Sequence, residues 1–404
     1  MTCNRPACKK INMQIGKRIL VAFLIVLSPF LVWAQMPVFS AGENNYASFR
    51  IPAIIQLASG ELLAFCEGRV QHAGDFGNID IVMKRSKDKG RTWSSLQTIV
   101  DVDSLQAGNP APVVDRLDPA YPNGRIFLFY NTGNNHEQEV RKGKGQRQVL
   151  YICSVDQGQS WSAPVNISSQ VHRIGLPDDW RSYANTPGHA LQIEKGTFRG
   201  RLYVAANHSS GAPQSSFKEY RAHGFYSDDH GKTFALSESV SIPGSNESTA
   251  AELSGDRLLL NSRNQSGDRR LRIVSISSNG GQRWDSSYVD PQLIDPVCQG
   301  SLLNIGWQRG RAVLAFSNPA SQSRRDSLIL RISNDEGKTW PAALLIDHQP
   351  DLRSGDTRKD YIAYSDLVML GKNRIGILYE RDNYREIVFK QVLLRSNYRP
   401  RSTP

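Results

Sequence analysis

The segment Ser48–Pro52, which reads Ser-Phe-Arg-Ile-Pro, is the most unusual local sequence of this 404-residue chain. Its arginine offers a planar guanidinium that stays charged at neutral pH and can bind a carboxylate through two parallel hydrogen bonds. A single arginine is more often a surface charge, and the chain contains 49 Lys and Arg residues. Arg50 therefore indicates an anion site only in the company of other suitable groups.

A second reactive candidate lies in the glycine-rich segment 67–77, Glu-Gly-Arg-Val-Gln-His-Ala-Gly-Asp-Phe-Gly. A carboxyl group in such a loop can close over a ligand and exchange a proton with it. Asp75 is the residue that could do so. The alternative is that Asp75 only caps a turn together with Gly74 and Gly77, and the residues alone leave both roles open.

Several other chemistries lack their sequence patterns. No His-Glu-x-x-His or Cys-x-x-Cys occurs and the eight histidines are scattered, which argues against a zinc site. Neither a Gly-x-Ser-x-Gly elbow nor a complete Gly-x-x-x-x-Gly-Lys-Ser/Thr phosphate loop is present. We expect no metal and no cofactor.

A repeated octapeptide, Ser-x-Asp-x-Gly-x-Thr-Trp or a close variant, indicates the strands and turns that position these groups. It is here called the Asp box. It occurs five times, at 86–93, 154–161, 227–234, 277–284 and 333–340, with Asn279 replacing the aspartate in the fourth copy. Short β-branched runs precede the copies, the aspartate can accept hydrogen bonds from its own turn, and the glycine permits a positive φ. We interpret the box aspartates as structural, because a calcium loop would need more oxygen ligands.

Repeats of this kind predict a repeat architecture and override the length-based estimate of two or three domains. Strand signals run throughout the chain, and long helical periodicity is scarce. The prediction is an all-β fold, a six-bladed β-propeller of four-stranded antiparallel blades of about 60 residues each, one blade lacking a box.

The Phe-Arg-Ile-Pro segment followed by a series of Asp boxes resembles the exo-α-sialidases (neuraminidases). The resemblance covers essentially all of residues 35–404, which it identifies as the catalytic propeller. It implies a cluster of three arginines around the carboxylate of a sialic acid. Arg50 is the first, Arg263 is the second by its place after the segment Asn246–Leu253, and Arg325 is the third, with Arg324 as the alternative.

The resemblance also implies the reacting groups. Tyr364 matches the family's nucleophile and Glu247 its base, with Tyr361 and Glu252 as the alternatives. A neutral tyrosine avoids the repulsion that a carboxylate nucleophile would meet from the substrate's own carboxylate. Asp75 becomes the acid/base, and Arg69 a residue near the carboxylate and the sugar 4-hydroxyl.

These assignments imply a glycoside hydrolase, a metal-independent exo-α-sialidase that acts with retention through a tyrosyl-glycosyl intermediate. Its substrates would be terminal α-linked sialic acids on glycoproteins, glycolipids or oligosaccharides. A trans-sialidase or intramolecular trans-sialidase would use the same residues. A non-catalytic propeller that binds glycans or proteins is the alternative from another class, and it gives no reason for all these residues to occur together.

The N-terminus predicts export. Lys17 and Arg18 precede an apolar run from Ile19 to Trp33, and Val32-Trp33-Ala34 resembles a cleavage site, as in a signal peptide over residues 1–34 rather than a membrane span. Met13 would give a more conventional start, and we predict that translation begins there. The mature protein would be periplasmic, on the cell surface or secreted.

Charge and cysteine content add weaker constraints. Five of the 11 excess positive charges lie in residues 1–34, so residues 35–404 carry about +6, which is compatible with an anionic substrate. The basic run 141–147 lacks aromatic residues and predicts a solvated loop, so nucleic acid is not an expected partner. Cys66, Cys153 and Cys298 lie in or near apolar runs, which favours buried free thiols.

Overall fold

The computed structural model describes residues 1–2, 37–349 and 360–394. The chain divides into two compact parts, Met1–Ala34 and Gln35–Pro404, and the fold described below is that of the second part. Apart from residues 1–2, the predicted signal peptide, including Met13, lies outside the described residues. No helix in the described ranges combines the length and the apolarity needed to cross a membrane.

The described residues form 25 strands and three short helical segments. The helical segments are a 3-10 turn (Glu43–Asn45), α1 (Glu137–Arg141) and α2 (Ser168–Val171). The strands are β1 (Pro37–Ser40), β2 (Ser48–Gln56), β3 (Leu62–Arg69), β4 (Ile79–Ser86), β5 (Gln97–Val100), β6 (Gln106–Asp115), β7 (Arg125–Gly133), β8 (Arg147–Ser154), β9 (Val165–Asn166), β10 (Trp180–Asn185), β11 (Leu191–Gln192), β12 (Leu202–Ser210), β13 (Tyr220–Ser227), β14 (Ala235–Leu236), β15 (Ser245–Glu252), β16 (Leu258–Asn264), β17 (Leu271–Ser277), β18 (Ser286–Ile294), β19 (Ser301–Gln308), β20 (Arg311–Pro319), β21 (Ser327–Ser333), β22 (Ala342–His348), β23 (Ile362–Met369), β24 (Arg374–Arg381) and β25 (Glu386–Leu393).

These strands pair into five hydrogen-bonded sheets. Strands β15–β18 and β19–β22 each form a four-stranded antiparallel sheet in chain order, and β10, β12, β13 and β14 form another, with β11 beside β12. The eight-stranded sheet consists of β2–β5 and β6–β9, joined only by the parallel pair Ile79 and Gln106. The last sheet has the order β1-β25-β24-β23. The sheets thus contain six units of four main strands, as the predicted all-β propeller requires. Unit 1 is β2–β5, unit 2 is β6–β9, unit 3 is β10–β14, unit 4 is β15–β18, unit 5 is β19–β22, and unit 6 is β23–β25 with β1.

The core follows the same ring. Six buried apolar clusters each join two neighbouring units: 1 with 2, 2 with 3, 3 with 4, 4 with 5, 5 with 6, and 6 with 1. The last junction forms because β1 supplies the outer strand of unit 6, where Phe39 pairs with Ile387. Every sheet therefore buries both faces against neighbours, and burial of apolar surface closes the ring.

The five Asp boxes are turns before the outer strands of units 1 to 5. In the first, Asp88 accepts hydrogen bonds from the amides of Arg91 and Thr92 at 3.0 and 2.9 Å and from the Thr92 hydroxyl at 2.6 Å. Asn279 of the fourth box has no second carboxylate oxygen, and the hydroxyl residue that would bind it is replaced by Arg283. Unit 6 has no box because its outer strand, β1, comes from the other end of the chain.

The box glycines also touch the preceding unit. Gly90 has a φ of +86°, and a Cβ there would lie 2.2 Å from the Phe389 ring. Each closing aromatic residue belongs to the cluster shared with the preceding unit, as Trp93 and Phe234 do. The structural interpretation of the boxes agrees with these contacts.

Two expectations on the scaffold need correction. The run 141–147 is not wholly solvated, because Arg141 and Arg147 at its ends are buried and pair with Glu219 and Glu137. The three described cysteines are free, but only Cys66 and Cys298 are buried, while Cys153 is partly exposed. The β8 position of Cys153 lies on a third strand, near the edge of its unit, where side chains are less covered.

Candidate active site

The site lies where the first strands of the units begin. Five of these strands, β2, β6, β10, β15 and β23, carry a register irregularity near that end. Such bulges re-aim side chains and are frequent beside active sites. In β2 the irregularity places Ile51 at a φ of +58°, an unfavourable value for a β-branched residue. A cavity of about 310 Å³ opens at this end of the ring.

Tyr364, near the start of β23, lines this cavity. Its hydroxyl donates a hydrogen bond of 2.5 Å to Glu247 Oε1 and accepts one of 3.0 Å from Arg263 Nη1. Arg263 Nη1 also donates to Glu247 Oε2 at 2.7 Å. Burial, and after it the charge of Glu247, raise the pKa of Tyr364 well above its usual value, while Arg263 opposes the shift. The phenol therefore keeps its proton until a base takes it.

Arg50 enters from unit 1. Its Nε donates to Glu380 Oε1 at 3.0 Å and its Nη2 to Glu380 Oε2 at 3.3 Å. The same carboxylate accepts the backbone amides of Ile51 and Tyr364 at 2.9 and 3.0 Å. Glu380 thus fixes the start of two first strands and one arginine at once, and its buried carboxylate is paired with a guanidinium.

Arg325 enters from unit 5, just before β21. Its Nη2 donates to the Val297 carbonyl at 2.9 Å and its Nη1 to the Tyr384 hydroxyl at 3.3 Å. The Arg50 guanidinium stacks on the Tyr384 ring, 3.9 Å from its centroid. Arg324 points elsewhere: it contacts Gln349 and Asp326, and its side chain is 44% exposed. Of the two candidates, Arg325 is the one beside the other arginines.

Asp75 and Arg69 form the wall contributed by unit 1. Arg69 Nη1 donates to Asp75 Oδ1 at 2.8 Å, and Arg50 Nη1 lies 3.5 Å from the same oxygen. Glu67 accepts from the other side of the Arg69 guanidinium at 2.6 and 3.0 Å. Although its side chain is 71% exposed, Asp75 sits close to two cations. Loss of hydration opposes the shift, but Arg69 and Arg50 outweigh it and lower the pKa of Asp75.

The two alternatives named for the reacting groups lie elsewhere. Tyr361 packs against the apolar cluster between units 5 and 6. Glu252 is at the far end of β15, where it accepts the backbone amides of Glu194 and Lys195 at 2.9 Å. It lines a separate cavity of about 370 Å³ formed by the opposite ends of the first strands.

The sequence reasoning missed three participants. Glu67, Glu380 and Tyr384 hold the arginines, yet Glu67 received no role within the segment 67–77, and Glu380 and Tyr384 lie in no recognisable motif. Tyr384 follows Asp382 and Asn383, and the three residues have φ values of 66°, 52° and 54°. Three successive non-glycine residues in this region signal a constrained hairpin, but a sequence alone does not reveal φ.

Units 2 and 3 build the side of the cavity that faces Arg263 and Tyr364. It is polar and includes Glu137, Arg141 and Arg147 together with the carboxamides Gln106, Asn109, Asn131 and Asn207. Ser182 donates to Glu137 Oε1 at 2.6 Å, and Tyr220 donates to the same oxygen. A wall of this type suits a ligand rich in hydroxyl and amide groups.

One cluster of possible metal ligands occurs in the described residues, formed by Asp115, Asp118 and His230. It lies at the end of β6, away from the cavity at its start. Arg125 Nη2 approaches Asp118 to 3.0 Å and Asp115 to 3.8 Å, and His230 Nδ1 lies 2.9 Å from Asp115. The guanidinium already supplies the positive charge that the two carboxylates need.

The match of a family model decides the family. The model described as a BNR repeat-like domain matches residues 60–377. The chain belongs to the BNR repeat-like domain family. Among proteins of similar sequence, a sialidase of Micromonospora viridifaciens is 33% identical over 366 residues, which are 84% of this chain and 50% of that protein. A sialidase of Bacteroides fragilis is 27% identical over 88% of this chain and 64% of its own length.

A solved structure shows the same likeness. The Hadza microbial sialidase Hz136 superposes with a TM-score of 0.73 at 26% identity, covering 89% of this chain and 68% of that one. This chain thus spans half to two thirds of the length of these proteins. The resemblance to the sialidases is confirmed by these relatives, as is the propeller class of the fold.

Proposed function

We propose that this protein is an exo-α-sialidase that releases terminal α-linked sialic acids from glycoconjugates with retention of configuration. The observation that carries the proposal is the contact of the Tyr364 hydroxyl with both Glu247 and Arg263, with the Arg50 guanidinium 5.4 Å from the centroid of the Tyr364 ring. A tyrosine whose hydroxyl donates to a carboxylate is the arrangement of an activated nucleophile. Arginines beside it suit a substrate with a carboxylate on the reacting carbon.

The substrate carboxylate would bind to Arg50, Arg263 and Arg325. Arg263 Nη1 donates to both Glu247 and Tyr364, so the orientation of this guanidinium is fixed before an anion binds. Glu380 and Tyr384 hold Arg50 in place before binding. This preorganisation would fix the anomeric carbon beside the Tyr364 hydroxyl.

Tyr364 would then attack that carbon while Glu247 accepts its proton. The bond from the tyrosine oxygen to the anomeric carbon forms as the bond to the leaving oxygen breaks, and Asp75 protonates the leaving oxygen. Water, deprotonated by Asp75, would cleave the glycosyl-tyrosine, and Glu247 would return the proton to Tyr364. Two displacements at one carbon retain its configuration.

Asp75 must carry a proton for the first step, although its pKa is lowered by Arg69 and Arg50. A substrate carboxylate that engages Arg50 brings a negative charge close to Asp75 and offsets part of that guanidinium. Both effects raise the pKa of Asp75. Substrate binding would in this way favour the protonated form of Asp75, which the first step requires.

The test compares Tyr364→Phe with Tyr361→Phe on an aryl α-sialoside. Tyr364→Phe should lose at least about 1,000-fold in kcat because the nucleophile is gone, while its thermal unfolding stays near that of the wild type. Tyr361→Phe should keep kcat within about twofold. Near-normal turnover of Tyr364→Phe would contradict the proposed nucleophile.

Product analysis defines the reaction further. Mass spectrometry should find free sialic acid as the product, with the α-anomer appearing first in a proton NMR time course. An anhydro-sialic acid would instead make the protein an intramolecular trans-sialidase, and transfer to an added galactoside would make it a trans-sialidase. Binding of sialosides with no product at all would favour the non-catalytic propeller.

We also propose that the protein is exported after removal of the signal peptide that ends at Ala34. The support is the basic pair Lys17-Arg18 followed by an apolar run of signal-peptide length. N-terminal sequencing of the exported protein should begin at Gln35. A mature protein that retains the apolar run would contradict the proposed cleavage.

A further inference from the structure

Arg272 is a fully buried cation that lies behind the arginine cluster and has no place in the proposed reaction. It is on β17, its exposed fraction is 0%, and its guanidinium lies over the Phe316 ring at 5.6 Å. Burying a guanidinium is costly unless charge and hydrogen bonds compensate it. Its partners therefore show what the residue is for.

The partners of Arg272 all lie next to the arginine cluster. Its Nε donates to Asn261 Oδ1 at 2.7 Å, and Asn261 lies two residues before Arg263 on β16, on the same face of the strand. Its Nη1 lies 3.3 Å from Asp295 Oδ2 and donates to the Cys298 carbonyl. Asp295 is 1% exposed.

Asp295 and Cys298 both lie in the short connection 295–300 between β18 and β19. The Cys298 amide donates to Asp295 Oδ1 at 3.1 Å, which closes the segment into a turn. Val297 within it has a φ of +62°, which costs a β-branched residue energy and needs support from its surroundings. The Val297 carbonyl is the acceptor of Arg325 Nη2 at 2.9 Å.

We propose that the buried Arg272–Asp295 pair is a positioning device for Arg325, and through it for the substrate's carboxylate. The pair holds both ends of the 295–298 turn, and the turn presents the Val297 carbonyl in the direction that fixes one edge of the Arg325 guanidinium. The contact with Asn261 ties the same cation to the strand that carries Arg263. The inference rests on the proposed function for its consequence in binding, although the positioning itself does not depend on it.

The binding test uses Arg272→Lys, which keeps the positive charge but loses the planar guanidinium that donates to several acceptors at once. The probes are a 2,3-unsaturated sialic acid and its methyl ester, which has no charge at the carboxyl group. The variant should weaken binding of the acid about tenfold and of the ester less than about twofold. With a sialoside substrate KM should rise about tenfold at nearly constant kcat, because the carboxylate is bound in both ground state and transition state.

Arg201→Lys is the matched control. Arg201 is 1% exposed, pairs with Asp228 and lies over two aromatic rings, but it is in unit 3 and contacts the fourth Asp box. The Arg201→Lys variant should lower the unfolding temperature as Arg272→Lys does, but it should leave binding of the unsaturated sialic acid unchanged. Equal weakening by both lysine variants would reduce Arg272 to a structural role and overturn the proposal.

A double-mutant cycle locates the effect. In an Arg325→Ala background, Arg272→Lys should weaken binding of the unsaturated sialic acid by less than a further factor of about two. The reason is that Arg325, through which Arg272 is proposed to act, is already absent. A full additional tenfold loss would show that Arg272 does not act through Arg325. Asp295→Asn is the second variant, because it keeps the acceptor for the Cys298 amide while it removes the charge, and it should reproduce the selective loss.

A crystal structure of either variant separates this inference from the proposed function. If the wild type binds acid and ester equally, the proposed function fails, and the distance from Arg325 Nη2 to the Val297 oxygen still decides the positioning. That distance should exceed 3.5 Å in the variants, compared with 2.9 Å in the native chain. An unchanged contact would overturn the inference whatever the ligand.

Discussion

Tyr364 and Asp75 solve opposite problems of protonation. The phenol of Tyr364 is buried beside a carboxylate, so it holds its proton and needs Glu247 to remove it. The carboxyl group of Asp75 is exposed beside two guanidinium groups, so it loses its proton easily. We expect the nucleophile to depend on a fixed neighbour and the acid to depend on the charge that the substrate brings.

Asp75→Asn tests the acid role through the leaving group. The variant should lose at least about 100-fold in kcat on a natural sialoside, whose sugar alcohol needs a proton to depart. On an aryl sialoside with an acidic phenol the loss should be several-fold smaller. The measurement is kcat on the two substrates with the same enzyme preparation, and equal losses would argue against protonation by Asp75.

The residue types in the site were partly readable from the sequence. The Phe-Arg-Ile-Pro segment and the family likeness led to Arg50, Glu247, Arg263 and Tyr364, which the structure brings into contact or close to one another. Glu380 and Tyr384 escaped because a supporting residue needs only the right position, which any of several residue types on several strands could supply. Arg325 was separated from Arg324 only by the direction of the two side chains.

At the scale of elements, the Asp boxes explain how strands of similar sequence become a regular array. Each box turn fixes the link to an outer strand, and its glycine contacts a side chain of the preceding unit. The function of these turns was predictable because all their bonds are local. The buried ends of the run 141–147 were not, because Arg141 and Arg147 meet their partners Glu219 and Glu137 through tertiary contacts.

Asp335→Ala measures what one box contributes. Asp335 accepts hydrogen bonds from Ser333, from the Thr339 amide and from the Thr339 hydroxyl, at 2.6 to 2.9 Å. Loss of these bonds should lower the free energy of unfolding by about 2 kcal/mol, with KM and kcat unchanged because the turn is remote from Tyr364. Urea denaturation of Asp335→Asn, which imitates the natural Asn279 box, should show a smaller loss. A fall in kcat at unchanged stability would contradict a purely structural role.

At the scale of the whole molecule, stability should depend on pH through a histidine cluster in unit 3. His172, His208 and His223 are buried around Trp180, which stacks on His208 at 3.5 Å. Burial lowers the pKa of His172 to about 4 and that of His223 to about 3. The unfolded chain takes up protons at these positions near pH 6.5, so the folded state loses stability as the pH falls from about 6.5 towards 4.

His172→Phe should flatten this dependence. Neither ring nitrogen of His172 has a partner among the described residues, so phenylalanine removes a protonation site without breaking a hydrogen bond. Between pH 7 and pH 5 the wild type should lose about 1 to 2 kcal/mol more unfolding free energy than the variant. Substitution of the exposed His348 by Phe is the control and should leave the slope unchanged. Parallel slopes for His172→Phe and wild type would show that His172 is not protonated on unfolding.

The closed ring is what brings residues more than 300 positions apart to one cavity. Arg50 and Glu380 meet because unit 6 completes the circle with β1 and then passes the chain to unit 1. Five boxes in a chain of this length predicted six blades, one of them without a box, and unit 6 is the unit that lacks one. The order of hydrogen bonding, in which units 1 and 2 share a single parallel pair, depends on loop geometry that the sequence does not display.

Trapping of the covalent intermediate tests the proposed nucleophile most directly. A 2,3-difluorinated sialic acid should transfer its sugar to the protein with loss of fluoride, and the second fluorine should slow the hydrolysis that follows. Peptide mapping by mass spectrometry should find the glycosyl group on Tyr364 and nowhere in Glu247→Gln protein treated for the same short time. A glycosyl group on Glu247 or Tyr361, or turnover of the reagent with no labelled peptide, would contradict Tyr364 as the nucleophile.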